Sequence, residues 1–138
     1  MTPVSFMRGI GLFRRRLICR LALRFPAFAR WLHTPRPFLM QRHEYAGSSP
    51  ARDLFVFLPG IEDCAEDFEH YGFVDPVRSM EWPLDMVMVD AHYGYYADRT
   101  ILEELHEGVF RPAKACGYRR IWIGGISLGG FGALLYAS

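Results

Sequence analysis

Three short apolar segments without a polar interruption constrain the fold of this chain more than any other feature. They span residues 54–58, 86–89 and 121–123, and their starts are 32 and 35 residues apart. A strand covered on one face alternates apolar and polar residues, whereas an unbroken apolar run is typical of a strand covered on both faces. The spacing matches that of successive β-α-β units. The sequence therefore predicts an α/β fold with a parallel sheet.

Helix signals lie between these segments. Asp63 and Glu66 have the spacing of a capping box, which predicts a short helix that stops at Gly72. Asp75 and Pro76 predict a second helix start, since proline is tolerated in the first turn.

The clearest helical pattern covers residues 99–116, where apolar residues recur on one face. We expect Asp98 to cap this helix, Gly117 to stop it and Pro112 to kink it. A strand–helix alternation of this kind supports the α/β prediction.

Charge divides the chain into two parts that its net charge of +1 conceals. Residues 1–43 contain nine arginines and no acidic residue, whereas residues 44–138 contain seven basic and fifteen acidic residues. Such asymmetry is typical of a chain with two roles. We therefore predict an arginine-rich N-terminal segment over residues 1–43 and a folded domain over residues 44–138, with a strand over residues 38–45 at the junction.

The N-terminal segment has the pattern of a basic amphipathic helix interrupted at Pro26. Its arginines recur at four-residue steps beside an apolar side that consists of Leu17, Leu21, Phe25, Phe28 and Leu32. Three interpretations stay open: a helix packed on its own domain, contact of residues 8–32 with a membrane surface, and a targeting signal. Cytoplasmic or peripheral membrane localisation is favoured, and export is the alternative. Nucleic-acid binding is not expected, because no DNA- or RNA-binding motif accompanies the arginines.

The cysteines predict neither a disulfide framework nor a metal site. Cys19, Cys64 and Cys116 are odd in number, widely spaced and outside any Cys/His ligand pattern. Reduced, mostly packed thiols are therefore expected.

The segment that carries chemistry follows the third apolar run. Gly125-Ile126-Ser127-Leu128-Gly129 has the pattern Gly-x-Ser-x-Gly, and residues 134–137 behind it predict a helix. A serine on a sharp strand-to-helix turn takes a strained backbone and projects its hydroxyl above the sheet. Gly125 and Gly129 approach each other in such a turn, where a Cβ would clash. The helix N-terminus then directs N–H groups toward a developing oxyanion.

With these residues the sequence resembles the α/β-hydrolase family over residues 53–138. The resemblance consists of a strand that ends at residues 58–60, a second strand that ends at Asp90, a long helix and the turn at Ser127. It implies a serine hydrolase that cleaves a carboxylic ester through an acyl intermediate on Ser127, with no cofactor and no metal. The same turn suits an acyltransferase or a thioesterase. A small-molecule ester or acyl substrate is the expected partner.

The resemblance also implies an oxyanion hole. In the family, the residue after the nucleophile supplies one N–H and the loop after an earlier strand supplies the other. On this chain these groups are the N–H of Leu128 and the N–H of Ile61, which follows Pro59-Gly60. The loop at Ile61 lacks the His-Gly pair or glycine run of the family.

The order of residues departs from the family, in which the acid and the histidine base follow the serine. Only eleven residues follow Ser127, and all five histidines precede it: His33, His43, His70, His92 and His106. We therefore expect the 138 residues to be the front portion of a longer protein, with a sheet that stops at the serine strand and no activity alone. A non-catalytic fragment that associates through its basic N-terminus is the alternative.

His92 follows the second strand and is a candidate for the sheet edge that carries Ser127. It could act as a substitute base or have an ordinary loop role. Tyr93, Tyr95 and Tyr96 could line an acyl or alcohol pocket or pack beneath the loop.

Overall fold

The computed structural model describes residues 40–48, 50 and 53–138, together with the isolated positions Leu17, Leu21, Arg24 and Phe25. Four strands lie within these residues: β1 (Met40–His43), β2 (Asp53–Leu58), β3 (Leu84–Val89) and β4 (Arg120–Gly125). The helices are α1 (Ala65–His70), α2 (Asp75–Ser79), α3 (Tyr93–Ala97), α4 (Ile101–Leu105), α5 (Arg111–Ala115) and α6 (Leu128–Ala137), with a π-helical turn at His106–Phe110 between α4 and α5.

The described strands form one mixed sheet in the order β1-β3-β2-β4. The pairs β2–β3 and β2–β4 are parallel, as predicted, but β1 runs antiparallel to β3. The expectation of a purely parallel sheet is therefore wrong at β1. Residues 44–52, which connect β1 to β2, are fewer than the dozen or so of a helical crossover, and a strand joined without a crossover is free to pair antiparallel. The fold belongs to the α/β class.

Apolar residues are buried on both faces of β2 and β3, which explains their unbroken runs. One face of the sheet contributes Leu54, Val56, Leu58, Val87 and Val89 to a core shared with Tyr95, Leu105 and Val109. The other face contributes Met86 and Met88 to a second core with Phe68 and Val74, and Phe55 and Phe57 pack against it. β2 lies between β3 and β4, so the end of β2 is central to the sheet.

The first helix begins one residue later than predicted. Its N-cap is Cys64, whose N–H donates to the Asp67 carboxylate at 2.9 Å. Asp63 and Glu66 have the same spacing as Cys64 and Asp67, but Asp67 is buried and Glu66 is only partly buried. The positive φ of Gly72 (76°) follows the end of α1, and α2 begins at Asp75 with proline in its first turn, as predicted.

The helix predicted over residues 99–116 is present from Ile101 to Ala115, with a π-helical turn before Pro112. Proline has no N–H for the carbonyl four residues earlier, and its ring crowds that carbonyl. A wider turn accommodates both effects. The prediction that Asp98 caps this helix is wrong: Asp98 ends α3, and the N-cap is Thr100. Gly117 stops the helix as predicted, with a φ of 86°.

Asp53 and Arg120 form an ion pair between the first residues of β2 and β4. The Asp53 carboxylate accepts hydrogen bonds from Arg120 Nε at 3.1 Å and from Nη2 at 2.5 Å. Its side chain is 4% exposed, whereas that of Arg120 is 51% exposed. Hydrogen bonding to Arg120 lowers the pKa of Asp53 below its ordinary value of 3.8. A carboxylate with a lowered pKa stabilises the fold above its ordinary pKa, and this contribution is lost as pH falls through the lowered value.

We expect Asp53→Asn to reduce the free energy of unfolding at pH 7, because it removes the charge from a paired carboxylate that is almost completely buried. The difference from the parent protein should shrink as pH falls below 3.8. Urea unfolding from about pH 7 to about pH 2 measures it. Glu107→Gln is the matched control, because Glu107 pairs with Arg111 at 2.7 Å with both side chains at least half exposed. A difference for Asp53→Asn that is independent of pH would contradict the role of this charge.

The edge strand β4 is less covered by other elements than the inner strands β2 and β3 are. Among the described strands β4 pairs only with β2, and Trp122 is 47% exposed. Helix α6 has no charged residue, yet Phe131 and Leu134 are 55% and 74% exposed. A helix that is apolar on all sides is typically buried on all sides. β4 and α6 therefore form an uncovered apolar surface.

Within the arginine-rich segment of residues 1–43, the structure describes Leu17, Leu21, Arg24 and Phe25 and the four residues of β1. Leu17, Leu21 and Arg24 are helical, and the predicted interruption at Pro26 lies outside the described residues. No helix among the described residues is long and apolar enough to cross a bilayer.

Candidate active site

Ser127 occupies the turn between β4 and α6. Its backbone has φ of 51° and ψ of −113°, and the residue is exposed. A side chain rarely adopts this conformation, which costs on the order of 1–3 kcal/mol and persists only where the surrounding structure enforces it. The strained backbone predicted at this serine is confirmed.

Two glycines enforce this turn. A Cβ on Gly125 would overlap the carbonyl group of Gly129, and a Cβ on Gly129 would overlap the carbonyl group of Leu58 and lie 2.6 Å from the Pro59 oxygen. These neighbours are backbone atoms, which cannot rotate away as a flexible side chain can. The predicted close approach of Gly125 and Gly129 is confirmed, and Gly129 also contacts the end of β2.

Backbone hydrogen bonds hold the turn against β2. The Ile126 N–H donates to the Leu58 oxygen at 3.1 Å, and the Phe131 N–H donates to the Ser127 oxygen at 3.1 Å. Leu128 is the first residue of α6. An N–H at this position has no acceptor within its own helix, and the positive end of the helix dipole lies there. The site thus offers a donor beside an exposed serine hydroxyl.

The loop that carries Ile61 adjoins the same turn. A Cβ on Gly60 would lie 3.8 Å from the Ile126 oxygen and 2.6 Å from Asp63 Oδ2. The Asp63 N–H closes this loop by donating to the Gly60 oxygen at 3.2 Å. The structure therefore brings the loop of Ile61 next to the serine turn, with a carboxylate over Gly60 that sequence reasoning interpreted only as a cap.

A small cleft lies beside this loop. Its lining consists of Asp63, Asp67, Phe68, Tyr71, Phe73 and Ile126. Since Ile126 precedes the serine, the cleft adjoins the turn, and its aromatic residues make it mainly apolar.

His92 caps helix α3. Its Nδ1 accepts a hydrogen bond from the Gly94 N–H at 3.1 Å, and its ring lies 4.8 Å from that of Tyr95. Because Nδ1 accepts, the neutral ring carries its proton on Nε2, where a general base would need a lone pair. This geometry favours the ordinary loop role over the role of substitute base.

The tyrosines after His92 separate into two groups. Tyr95 is completely buried in the core, and a Cβ on Gly132 would overlap the Tyr96 hydroxyl, which shows that Tyr96 packs closely on α6. Burial raises the pKa of Tyr96 to about 12. Tyr95 and Tyr96 thus have the packing role, and Tyr93, which is half-buried, is left as a candidate for a pocket wall.

The other described histidines make contacts away from Ser127. His43 Nδ1 is 2.5 Å from Arg78 Nη2, and His106 Nδ1 is 3.2 Å from the Tyr136 hydroxyl. The ring of His70 packs on Tyr71. His33 lies outside the described residues. The geometry brings none of the four described histidines to the serine as an evident base.

Of the cysteines, Cys64 is buried and Cys116 is exposed, while Cys19 lies outside the described residues. Burial raises the pKa of the Cys64 thiol, so it stays protonated and is no competing nucleophile. The described residues contain no group of three or more side chains arranged to hold a metal ion.

Comparison of this chain with protein-family models, with curated proteins and with solved structures finds no match.

Proposed function

We propose that this protein is a serine hydrolase of the α/β-hydrolase type, which cleaves a carboxylic ester through an acyl intermediate on Ser127. The observation that carries the proposal is the strained backbone of Ser127, with φ of 51° in a turn that two glycines make possible. Strained residues concentrate at catalytic sites, and here the glycines on both sides of the serine make the strained turn possible.

The position of the serine supports the same conclusion. β2 and β4 are parallel, so their carboxyl ends meet at one edge of the sheet, where open α/β sheets bind ligands. Ser127 follows one of these ends and the loop of Ile61 follows the other. The N–H groups of Leu128 and Ile61 are the donors that we assign to the oxyanion.

The proposed reaction has two steps. Ser127 Oγ attacks the ester carbonyl carbon, its proton passes to a base, and the C–O bond to the alcohol breaks as the alcohol takes up a proton. Water then attacks the acyl carbon, which releases the acid and restores the serine. A histidine base and its acidic partner are required as well, and His43, His92 and His106 make hydrogen bonds to groups other than Ser127.

A fluorophosphonate probe tests the proposal directly, because it phosphonylates an activated serine with release of fluoride. The protein is treated with the probe in imidazole buffer, which supplies a proton acceptor, and the modified peptide is located by mass spectrometry. We expect modification of Ser127. Ser79 is the internal control, since it is also exposed but lies at the end of α2, where its hydroxyl donates to the Pro76 oxygen. Modification of Ser79 equal to or greater than that of Ser127 would contradict the proposal.

A further inference from the structure

The N-terminal segment combines a strong single-sign charge with apolar residues that the hydrolase proposal does not use. This segment, residues 1–43, contains nine arginines and no acidic residue. The charge therefore has no partner within the segment and favours an anionic surface.

The described positions of this segment show an exposed apolar stripe. Leu17 and Leu21 are helical, and the Phe25 N–H donates to the Leu21 oxygen at 2.9 Å, the i to i−4 bond of a helical turn. These three residues follow one another at four-residue steps, so they lie on one side of the helix. Their side chains are 51%, 38% and 55% exposed, whereas core leucines such as Leu54 are 1% exposed. The described part of the helix thus presents its apolar side to solvent.

We propose that residues 8–32 bind the surface of a membrane that contains anionic lipids. The apolar side of the helix would enter the boundary between headgroups and acyl chains, and the arginines would extend to the lipid phosphates. This inference does not depend on the chemistry of Ser127.

Two observations favour a membrane over the other occupants. A nucleic acid would satisfy the arginines, but it would leave the stripe of Leu17, Leu21 and Phe25 against a polar phosphate backbone. Packing on the chain's own domain would bury the stripe, whereas Leu17, Leu21 and Phe25 are exposed. A lipid interface satisfies both the charge and the apolar stripe.

The test uses the full chain and flotation with vesicles of phosphatidylcholine, with or without phosphatidylglycerol. We expect flotation only with the anionic vesicles, and a loss of binding as salt rises from about 0.1 M to about 1 M, because the Debye length falls from ~10 Å to ~3 Å. Flotation that is equal on both vesicle types, or absent on both, would overturn the proposal.

A charge variant measures the electrostatic part. Arg16→Gln, Arg20→Gln and Arg24→Gln together should weaken binding about a hundredfold, since each arginine near an anionic surface contributes about fivefold.

The matched control for charge changes three cations in the folded domain: Arg111→Gln, Lys114→Gln and Arg119→Gln. It has the same net charge as the arginine variant and should bind as the parent does. Equal weakening by both sets would show that net charge alone acts, and would overturn the assignment to residues 8–32.

An apolar variant separates the membrane from nucleic acid. Leu17→Ser with Leu21→Ser keeps every arginine and should abolish flotation. Leu102→Ser is the control, because Leu102 is similarly exposed, at 41%, but lies on α4. Retention on nucleic acid that the double serine variant does not change, without flotation of the parent, would overturn the membrane proposal in favour of nucleic-acid binding.

Discussion

Replacement of Ser127 by alanine is expected to abolish acetylation at position 127 by p-nitrophenyl acetate. Once the hydroxyl is removed, the acyl group has no oxygen at this position to bond to. The variant keeps the oxyanion donors and the substrate-binding groups but lacks the nucleophile. The measurement is the position of the acetyl adduct, located by mass spectrometry of peptides after reaction in phosphate buffer. The parent protein should carry an acetyl group on Ser127 and the alanine variant none at this position.

Stability measurements on the same position serve as the control. Alanine keeps a Cβ at φ of 51°, so its free energy of unfolding should match that of the parent. Ser127→Gly removes the Cβ and should increase the free energy of unfolding by about 1 kcal/mol, since glycine adopts this conformation without strain. An alanine variant that is acylated at the parent rate would show that Ser127 is not the nucleophile. A glycine variant less stable than the parent would show that the turn is not strained.

Gly129→Ala is expected to reduce the free energy of unfolding by about 3 kcal/mol. Its new methyl group would overlap the carbonyl group of Leu58 and lie 2.6 Å from the Pro59 oxygen. Both neighbours are backbone groups at the end of β2, the strand between β3 and β4. Overpacking of a rigid site typically costs 1–3 kcal/mol and more where the backbone must move. The midpoint and slope of urea unfolding give the loss.

Gly130→Ala is the matched control for this substitution. It lies one residue further along α6, and its Cβ would approach the Gly125 oxygen only to 3.2 Å. Alanine also favours the helix over glycine by about 1 kcal/mol, so this variant should be close to the parent in stability. If Gly129→Ala were as stable as Gly130→Ala, the serine turn would not be held against β2.

The interior strands can be predicted from the sequence because burial on both faces leaves no polar residue in the run. Residues 54–58 and 86–89 show this directly. β1 has no such run: its sequence, Met40-Gln41-Arg42-His43, contains three polar residues. Its antiparallel pairing with β3 depends on the path of the connection to β2, which no local pattern encodes.

The helix starts show a different limit. Two pairs of residues have the spacing of a capping box: Asp63 with Glu66, and Cys64 with Asp67. The helix uses the second pair, in which Asp67 is buried and accepts a hydrogen bond from the Cys64 N–H. Asp98 could begin a helix by composition, but α3 ends there instead, and nothing in the sequence around α3 predicted a helix. Tertiary packing therefore sets boundaries that local preference leaves open.

At the candidate site, the spacing of Gly125, Ser127 and Gly129 is sufficient to predict the strained turn, because the clash that glycine avoids is local. The contact of Gly129 with Leu58 is not local, since it exists because β2 lies beside β4 in the sheet. The same strand order brings the loop of Ile61 to the serine.

The uncovered apolar surface of β4 and α6 should cause this protein to associate with itself, to an extent that increases with protein concentration. Among the described strands β4 has one unpaired edge, and such an edge offers N–H and C=O groups to any other chain in extended conformation. Trp122 and Leu134 add exposed apolar side chains on β4 and α6. Association of this kind depends on encounters between molecules, whereas the free energy of unfolding does not. The usable lifetime of a preparation should therefore shorten as it is concentrated, even under conditions in which each isolated molecule stays folded.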